Sequence, residues 1–145
     1  MKQRLNVPAL TPDLYKAVLA LDTAVRNSGI DHNFLHLIKL RASQINGCAY
    51  CVDMHVKESL ADGIPAQKLH LVSVWRESPL FDERERAVLD WTESVTLLAE
   101  TGVPDGVYDA LAKHFSSEQI AQLIMAIGTI NIWNRIAVSA RNIHS

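Results

Sequence analysis

Apolar residues recur along the chain at intervals of three and four, the spacing that places them on one face of an α-helix. Leu14, Val18, Leu21 and Val25 form a clear run of this kind, and Gly29 ends it. Similar runs follow as far as the C-terminus. No stretch of alternating apolar and polar residues is long enough to predict a strand. The pattern predicts an all-α protein, a compact bundle of about six to seven helices.

Capping residues, prolines and glycines predict where these helices begin and end. Acidic residues in a first turn favour a helix start as well, because they face the positive end of the helix dipole. The predicted helices run from Thr11-Pro12 to Gly29, from Asp31 or Asn33 to Asn46-Gly47, from about Cys48 to Asp62-Gly63, from Pro65 to about Trp75, from Phe81-Asp82 to Gly102, from Pro104-Asp105 to about His114, and from a capping box at Ser116 and Gln119 to about Ala140.

The last of these helices is apolar on nearly every side. A helix of this kind is buried on more than one side. Two interpretations are open: part of its surface meets another subunit, or all of it belongs to the internal core. The apolar residues are Ile120, Leu123, Ile124, Ile127, Ile130, Ile132, Trp133 and Ile136.

Length and composition narrow the class of protein. A chain of 145 residues fits a single domain spanning residues 1–145. Its content of 48% hydrophobic and 21% charged residues excludes intrinsic disorder, and a net charge of −2 gives no reason to expect a nucleic-acid partner. We predict no signal peptide, and polar residues interrupt the apolar stretch Ile120–Val138, which argues against a membrane span. A cytoplasmic protein is therefore expected.

The residues that carry chemistry surround the two cysteines. Cys48 and Cys51 are three residues apart and His55 is four residues further on, so all three share one face of a helix. A helix that begins near Cys48, like a Cys-X-X-Cys arrangement, lowers the pKa of a thiol. His55 can accept a thiol proton or act as a cation beside a thiolate. The pattern predicts thiol redox chemistry, in which a peroxide oxidises one thiolate to a sulfenic acid and the second thiol condenses with it to a disulfide.

The segment Arg41–His55 resembles the core motif of the alkylhydroperoxidase D-like family, within the carboxymuconolactone decarboxylase superfamily. The stretches Phe81–Ala87 and Ile130–Arg135 resemble later blocks of the same family, so the resemblance spans about Leu35 to Val138. It implies an all-helical fold, a homo-oligomer, and a peroxidase or disulfide reductase activity that needs no cofactor. The namesake decarboxylases usually lack the cysteine pair, so their activity is not the one expected here.

The family's site residues carry over with one exception. Cys48 and Cys51 match the two redox cysteines, and His55 matches the relay histidine. The family pattern places a glutamate, the distal base of the relay, twelve residues before the first cysteine, where this chain has His36. A histidine also takes a proton near neutral pH, but it brings no fixed negative charge. Three consequences stay open: a relay through His36 with a different pH profile, a weak activity, or a different substrate.

The roles of the two cysteines follow from opposing arguments. The helix start favours a thiolate at Cys48, whereas the four-residue spacing to His55 favours Cys51. We expect Cys51 to attack the peroxide and Cys48, as the more exposed partner, to resolve the sulfenic acid and meet the reductant. The expected partners are a small peroxide and a dithiol, thioredoxin or lipoyl-type reductant, with no cofactor or metal ion.

Two other functions use the same residues. In the first, the cysteine pair serves thiol–disulfide exchange or redox sensing without peroxide turnover. In the second, His36, Cys48, Cys51 and His55 form a Cys₂His₂ zinc site, a ligand set that zinc accepts. Elemental analysis would identify the zinc site.

Overall fold

The computed structural model describes residues 1–145 and contains helices without strands. The all-α prediction is confirmed. Nine α-helices and one 3₁₀ helix follow one another: α1 (Val7–Leu10), α2 (Pro12–Arg26), α3 (His32–Ile45), α4 (Ala49–Ala61), α5 (Ala66–Leu71), the 3₁₀ helix (Val72–Glu77), α6 (Glu83–Thr96), α7 (Leu98–Thr101), α8 (Asp105–Ala112) and α9 (Ser117–Ala140).

Three details of the predicted helix pattern were wrong. The short helix α1 was missed, because four residues contain no full apolar repeat. The helix predicted from Phe81-Asp82 to Gly102 is divided at Leu97 into α6 and α7. The helix predicted from Pro65 to Trp75 is divided: α5 ends at Leu71, and the 3₁₀ helix that follows contains a non-helical residue, Val74. β-Branched residues such as Val74 tolerate the helical backbone less well than unbranched ones.

The caps show why the long helices begin where they do. The backbone N–H of Gln119 donates to Oγ of Ser116 at 3.2 Å, and the N–H of Ser116 donates to Oε1 of Gln119 at 2.8 Å, which confirms the predicted capping box. Asp31 rather than Asn33 caps α3, since Oδ1 of Asp31 accepts from the N–H of Asn33 at 2.8 Å. Thr11 precedes α2 without a side-chain cap.

α3 lies at the centre of the bundle and packs against α4, α6 and α9. Ile38 of α3, Val88 of α6 and Ile127 of α9 are completely buried together in the largest apolar cluster. Leu37 and Leu40, on the other side of α3, pack in a second cluster with α5, the 3₁₀ helix and α6. Because α3 is enclosed on both sides, the turn at its C-terminal end starts from a fixed position.

α9 combines a buried side with an exposed apolar side. Its buried residues include Leu123, Ile127 and Ile130, whereas Ile124 and Met125 are about half exposed. By length and composition alone, α9 is apolar enough to cross a membrane, and 44% of its most apolar window is buried inside the fold. The buried side of α9 belongs to the internal core. A contact between its exposed side and another subunit stays a prediction.

Candidate active site

A polar network holds the turn that leads into the cysteine motif. Asn46 follows α3, and its Nδ2 donates to Oδ1 of Asn131 and to Oδ1 of Asn134, both on α9, at 2.9 Å. Gly47 has a φ of +63°, a left-handed conformation that glycine adopts without strain. The chain then enters α4 at Cys48. The position of the first cysteine is therefore set jointly by α3 and α9.

Cys48 and Cys51 are joined by a disulfide at the beginning of α4, with their Cα atoms 5.3 Å apart. Cys48 is the N-cap residue, and its Sγ accepts a hydrogen bond from the backbone N–H of Cys51 at 3.2 Å. The structure thus brings the two cysteines together at a helix N-terminus. The partial positive charge there stabilises a thiolate once the disulfide is reduced.

The expectation that Cys48 is the more exposed cysteine was wrong. Cys48 and Cys51 are each only 1% exposed, because Ala137 of α9 and the partly buried Tyr50 pack over the pair. The two differ in another way: Cys51 lines a partly enclosed cavity and Cys48 does not. A small molecule in the cavity therefore reaches Cys51 first.

His55 lies one turn after Cys51, is 4% exposed, and lines the same cavity. Its Nδ1 is 3.1 Å from Oε2 of Glu58, while its Nε2 is buried and has no hydrogen-bond partner. When Nδ1 donates its proton to the carboxylate, Nε2 is the nitrogen that carries a free lone pair. The arrangement orients His55 to accept a proton from a group in the cavity.

Glu58 is a site residue that the sequence analysis missed. The hydrogen bond with His55 lowers the pKa of Glu58 below its ordinary value of 4.5; burial opposes this shift, and the nearby positive charge of Lys39 adds to it. The carboxylate therefore stays ionised beside the imidazole. The signal was present in the sequence, because residues three apart, such as His55 and Glu58, are neighbours on a helix.

His36 has a different carboxylate partner. Its Nε2 is 2.6 Å from Oδ2 of Asp62, at the C-terminal end of α4, and it makes no hydrogen bond with His55. It lines a neighbouring cavity of about 360 Å³, which meets the Cys51 cavity at Arg26, Lys39 and Glu58. The structure brings Cys48, Cys51 and His55 together and places His36 one cavity away.

The Cys₂His₂ set considered for zinc is not assembled. The two cysteines are bonded to each other, and His36 faces Asp62 in the second cavity. No group of three or more His, Cys, Asp and Glu side chains is arranged to hold a metal ion.

The cavity beside Cys51 has a volume of about 200 Å³, with walls from α2, α3, α4 and α9. Tyr15 of α2 and Trp133 of α9 meet edge to face with ring centroids 5.3 Å apart. Nε1 of Trp133 donates to Asp22 at 3.4 Å, and Asp22 also pairs with Arg26. Trp133, one of the apolar residues of α9, packs against the main apolar cluster and also forms part of the cavity wall. A mostly apolar cavity with a sulfur and a histidine in its wall suits a small organic substrate.

Comparison with known proteins places the chain in a family. Residues 12–94 match the model of the Carboxymuconolactone decarboxylase family. The uncharacterized protein YdfG of Bacillus subtilis is 33% identical over 142 residues, which are 98% of this chain and 97% of the relative. The chain therefore belongs to the carboxymuconolactone decarboxylase family. The matched region contains the cysteine motif and Phe81–Ala87, whereas the block Ile130–Arg135 lies beyond it.

Solved structures identify the branch of that family. A protein of unknown function from Agrobacterium tumefaciens, proposed to be the antioxidant defence protein AhpD, is 56% identical and superposes with a TM-score of 0.97 over 99% of both chains. The debrominase Bmp8 superposes with a TM-score of 0.85 at 20% identity, over 94% of this chain and 74% of its own, a likeness of fold alone. The chain is an alkylhydroperoxidase D-like protein in its fold and its cysteine pair.

Proposed function

We propose that this protein is a cofactor-free thiol peroxidase that reduces small organic hydroperoxides or hydrogen peroxide. The observation that carries the proposal is the shared wall of one cavity, where Cys51 of a helix-start Cys-X-X-Cys pair lies one turn before the buried His55. The disulfide between Cys48 and Cys51 is the oxidised state that such a catalyst leaves after each turnover.

The reaction begins with the reduced dithiol. Nε2 of His55 takes the proton of the Cys51 thiol, and the thiolate sulfur attacks the terminal oxygen of the hydroperoxide. The O–O bond breaks, the departing alkoxide takes the proton back from His55 and leaves as an alcohol, and Cys51 becomes a sulfenic acid. The sulfur of Cys48 then attacks Cys51 and displaces water, which closes the disulfide. One hydroperoxide and two thiols thereby yield an alcohol, water and a disulfide.

Glu58 and His36 have separate roles in this proposal. Glu58 accepts the hydrogen bond from Nδ1 of His55 and supplies a fixed negative charge beside the imidazole. In the family pattern this charge comes from a glutamate at the position of His36. The pair of His36 and Asp62 borders the second cavity, where the charge of His36 also contributes to the lowered pKa of Glu58. His36 thus acts on the relay from a distance.

A dithiol must return two electrons and two protons to reopen the disulfide. Because neither sulfur is exposed at the surface, a narrow dithiol of the lipoyl type that enters the cavity suits this site better than the surface of a folded thioredoxin. We further propose that the chain works as one domain, in a homo-oligomer, in a reducing compartment such as the cytoplasm. The exposed apolar residues Ile124, Met125 and Ile132 of α9 favour a contact between subunits.

Hydroperoxide consumption in the presence of dihydrolipoamide tests this function. Cys51→Ser should abolish turnover, because the serine hydroxyl is not a comparable nucleophile. In the absence of any dithiol, Cys48→Ser should consume one equivalent and stop at a sulfenic acid, which dimedone labelling and mass spectrometry detect. If Cys51→Ser retained full activity, the proposal would be wrong. Disulfide exchange with the dithiol but no hydroperoxide consumption by the unmodified protein would instead indicate an exchange or sensing module.

A further inference from the structure

One cation in the wall of the Cys51 cavity makes no ion pair. Asp22 pairs with Arg26 at 3.1 Å, and Glu58 pairs with His55 at 3.1 Å. Lys39 lines the same cavity and makes no ion pair with any carboxylate. The cavity therefore offers one positive charge that its own side chains leave unpaired.

Lys39 lies at the junction of the two cavities, because it lines both the Cys51 cavity and the neighbouring one. Its ammonium is near enough to Glu58 to lower the pKa of that carboxyl by charge, without contacting it. The two cavities differ in character. The first is lined mostly by apolar residues, Tyr15 and Trp133 among them, and the second mostly by polar and charged residues. A ligand with an apolar body and a charged end matches this division.

We propose that Lys39 binds a carboxylate on the substrate, so that the preferred substrates are compact organic hydroperoxides with an aromatic or branched apolar body and a carboxylate at the far end. The hydroperoxide part of this inference rests on the proposed function. The apolar body lies against Tyr15 and Trp133 with its peroxide group toward Cys51, and the carboxylate lies at the junction beside Lys39.

The charges nearby favour this assignment. A carboxylate entering the junction also meets Glu58, but the hydrogen bond from His55 already engages one oxygen of that group. Arg26 is held by Asp22, so Lys39 is the cation that is free to form a new pair. A charge-assisted hydrogen bond in a partly enclosed cavity is stronger than one at an open surface. We expect it to improve affinity about tenfold over a neutral ligand.

Binding can be measured without any redox chemistry. The probes are para-isopropylbenzoate and its methyl ester, titrated calorimetrically into the oxidised, disulfide-closed protein. The acid should bind about tenfold more tightly than the ester. Lys39→Met should remove this preference and Lys39→Arg should retain it. Lys57→Met, a change to an exposed lysine outside both cavities, is the matched control and should leave the preference intact. Equal affinity for acid and ester, or an unchanged preference in Lys39→Met, would overturn the proposal.

A turnover experiment tests the role of Lys39 separately from the proposed peroxidase function. The substrates are cumene hydroperoxide carrying a para-carboxylate and the methyl ester of the same compound, and the preference is the ratio of their kcat/KM values. If the protein consumes both equally well, the peroxidase function stands and the role of Lys39 is wrong. If it consumes neither but binds para-isopropylbenzoate through Lys39, the peroxidase function fails and the carboxylate site stands.

Discussion

Nδ1 of His55 lies 3.1 Å from Oε2 of Glu58, one turn further along α4. The pair connects the buried wall of the cavity to its more open edge, since His55 is buried and the Glu58 side chain is 46% exposed. The carboxylate partner of the histidine therefore comes from the helix that carries the cysteines. The family pattern has a glutamate at position 36. This chain has a histidine there, and it makes a hydrogen bond with Asp62.

Glu58→Gln should lower kcat/KM for hydroperoxide by roughly tenfold to a hundredfold. The amide keeps the shape of the side chain but loses the negative charge that orients His55 and stabilises its protonated form, and partners of this kind contribute on that scale. Steady-state kinetics at constant pH measures the effect. Glu118→Gln, an exposed change in the first turn of α9, is the matched control.

The same variant allows a rescue experiment. The double variant Glu58→Gln/His36→Glu restores a carboxylate at the position used by the family pattern, on the wall of the cavity that meets the Cys51 cavity. Part of the lost kcat/KM should return. Two results would count against the role given to Glu58. One is a kcat/KM of Glu58→Gln equal to that of the unmodified protein, and the other is a kcat/KM of the double variant no higher than that of Glu58→Gln.

Much of the site could be predicted from sequence because it is local. Cys48, Cys51 and His55 lie within eight residues, and helical spacing alone puts them on one face. The same reasoning applies to Glu58, three residues after His55. The exposure of Cys48 depends instead on Ala137, which lies far along the chain, so no local pattern could show that both sulfurs are covered.

The cavity itself could not be predicted, since distant segments form it. Tyr15 and Trp133 are 118 positions apart in sequence, and only the packing of α2 against α9 brings their rings together. The orientation of His36 depends likewise on how α3 packs against α4. The helices were predictable because their periodicity and caps are local, with the divisions after Leu71 and at Leu97 as the main departures.

Asn134→Ala should destabilise the protein by about 1–3 kcal/mol, because it leaves buried polar partners unsatisfied. Asn134 is 1% exposed, accepts from Nδ2 of Asn46 and donates to Oγ of Ser43 at 3.0 Å. Urea unfolding measures the change. The exposed control Gln67→Ala should stay within about 0.5 kcal/mol of the unmodified protein. Equal stability of the two variants would contradict the structural role of this network.

Glu93 should make stability depend on pH. Burial raises the pKa of Glu93, but hydrogen bonds donated by Arg76, Trp75 and Arg41 outweigh it, and the pKa lies below the ordinary value of 4.5. Because the folded state holds this proton less tightly, the contribution of Glu93 to stability is present above pH 4.5 and is lost as the pH falls through the lower, folded-state value.

Unfolding of Glu93→Gln should therefore differ most from that of the unmodified protein near neutral pH. The two free energies of unfolding should converge as the pH falls from about 4.5 through the lower, folded-state pKa of Glu93, because the unfolded carboxyl takes up its proton first and the native one only at lower pH. Thermal or urea unfolding at a series of pH values measures both. A constant difference across the series would mean that the ionised form of Glu93 is not what stabilises the fold.

A hydroperoxide should close the Cys48–Cys51 disulfide of the reduced protein. The direct measurement is a thiol count with Ellman's reagent on reduced, chelator-treated protein, before and after one equivalent of cumene hydroperoxide. Both thiols should be lost rapidly and should return when a dithiol is added. Survival of both thiols after the hydroperoxide would contradict the proposed function.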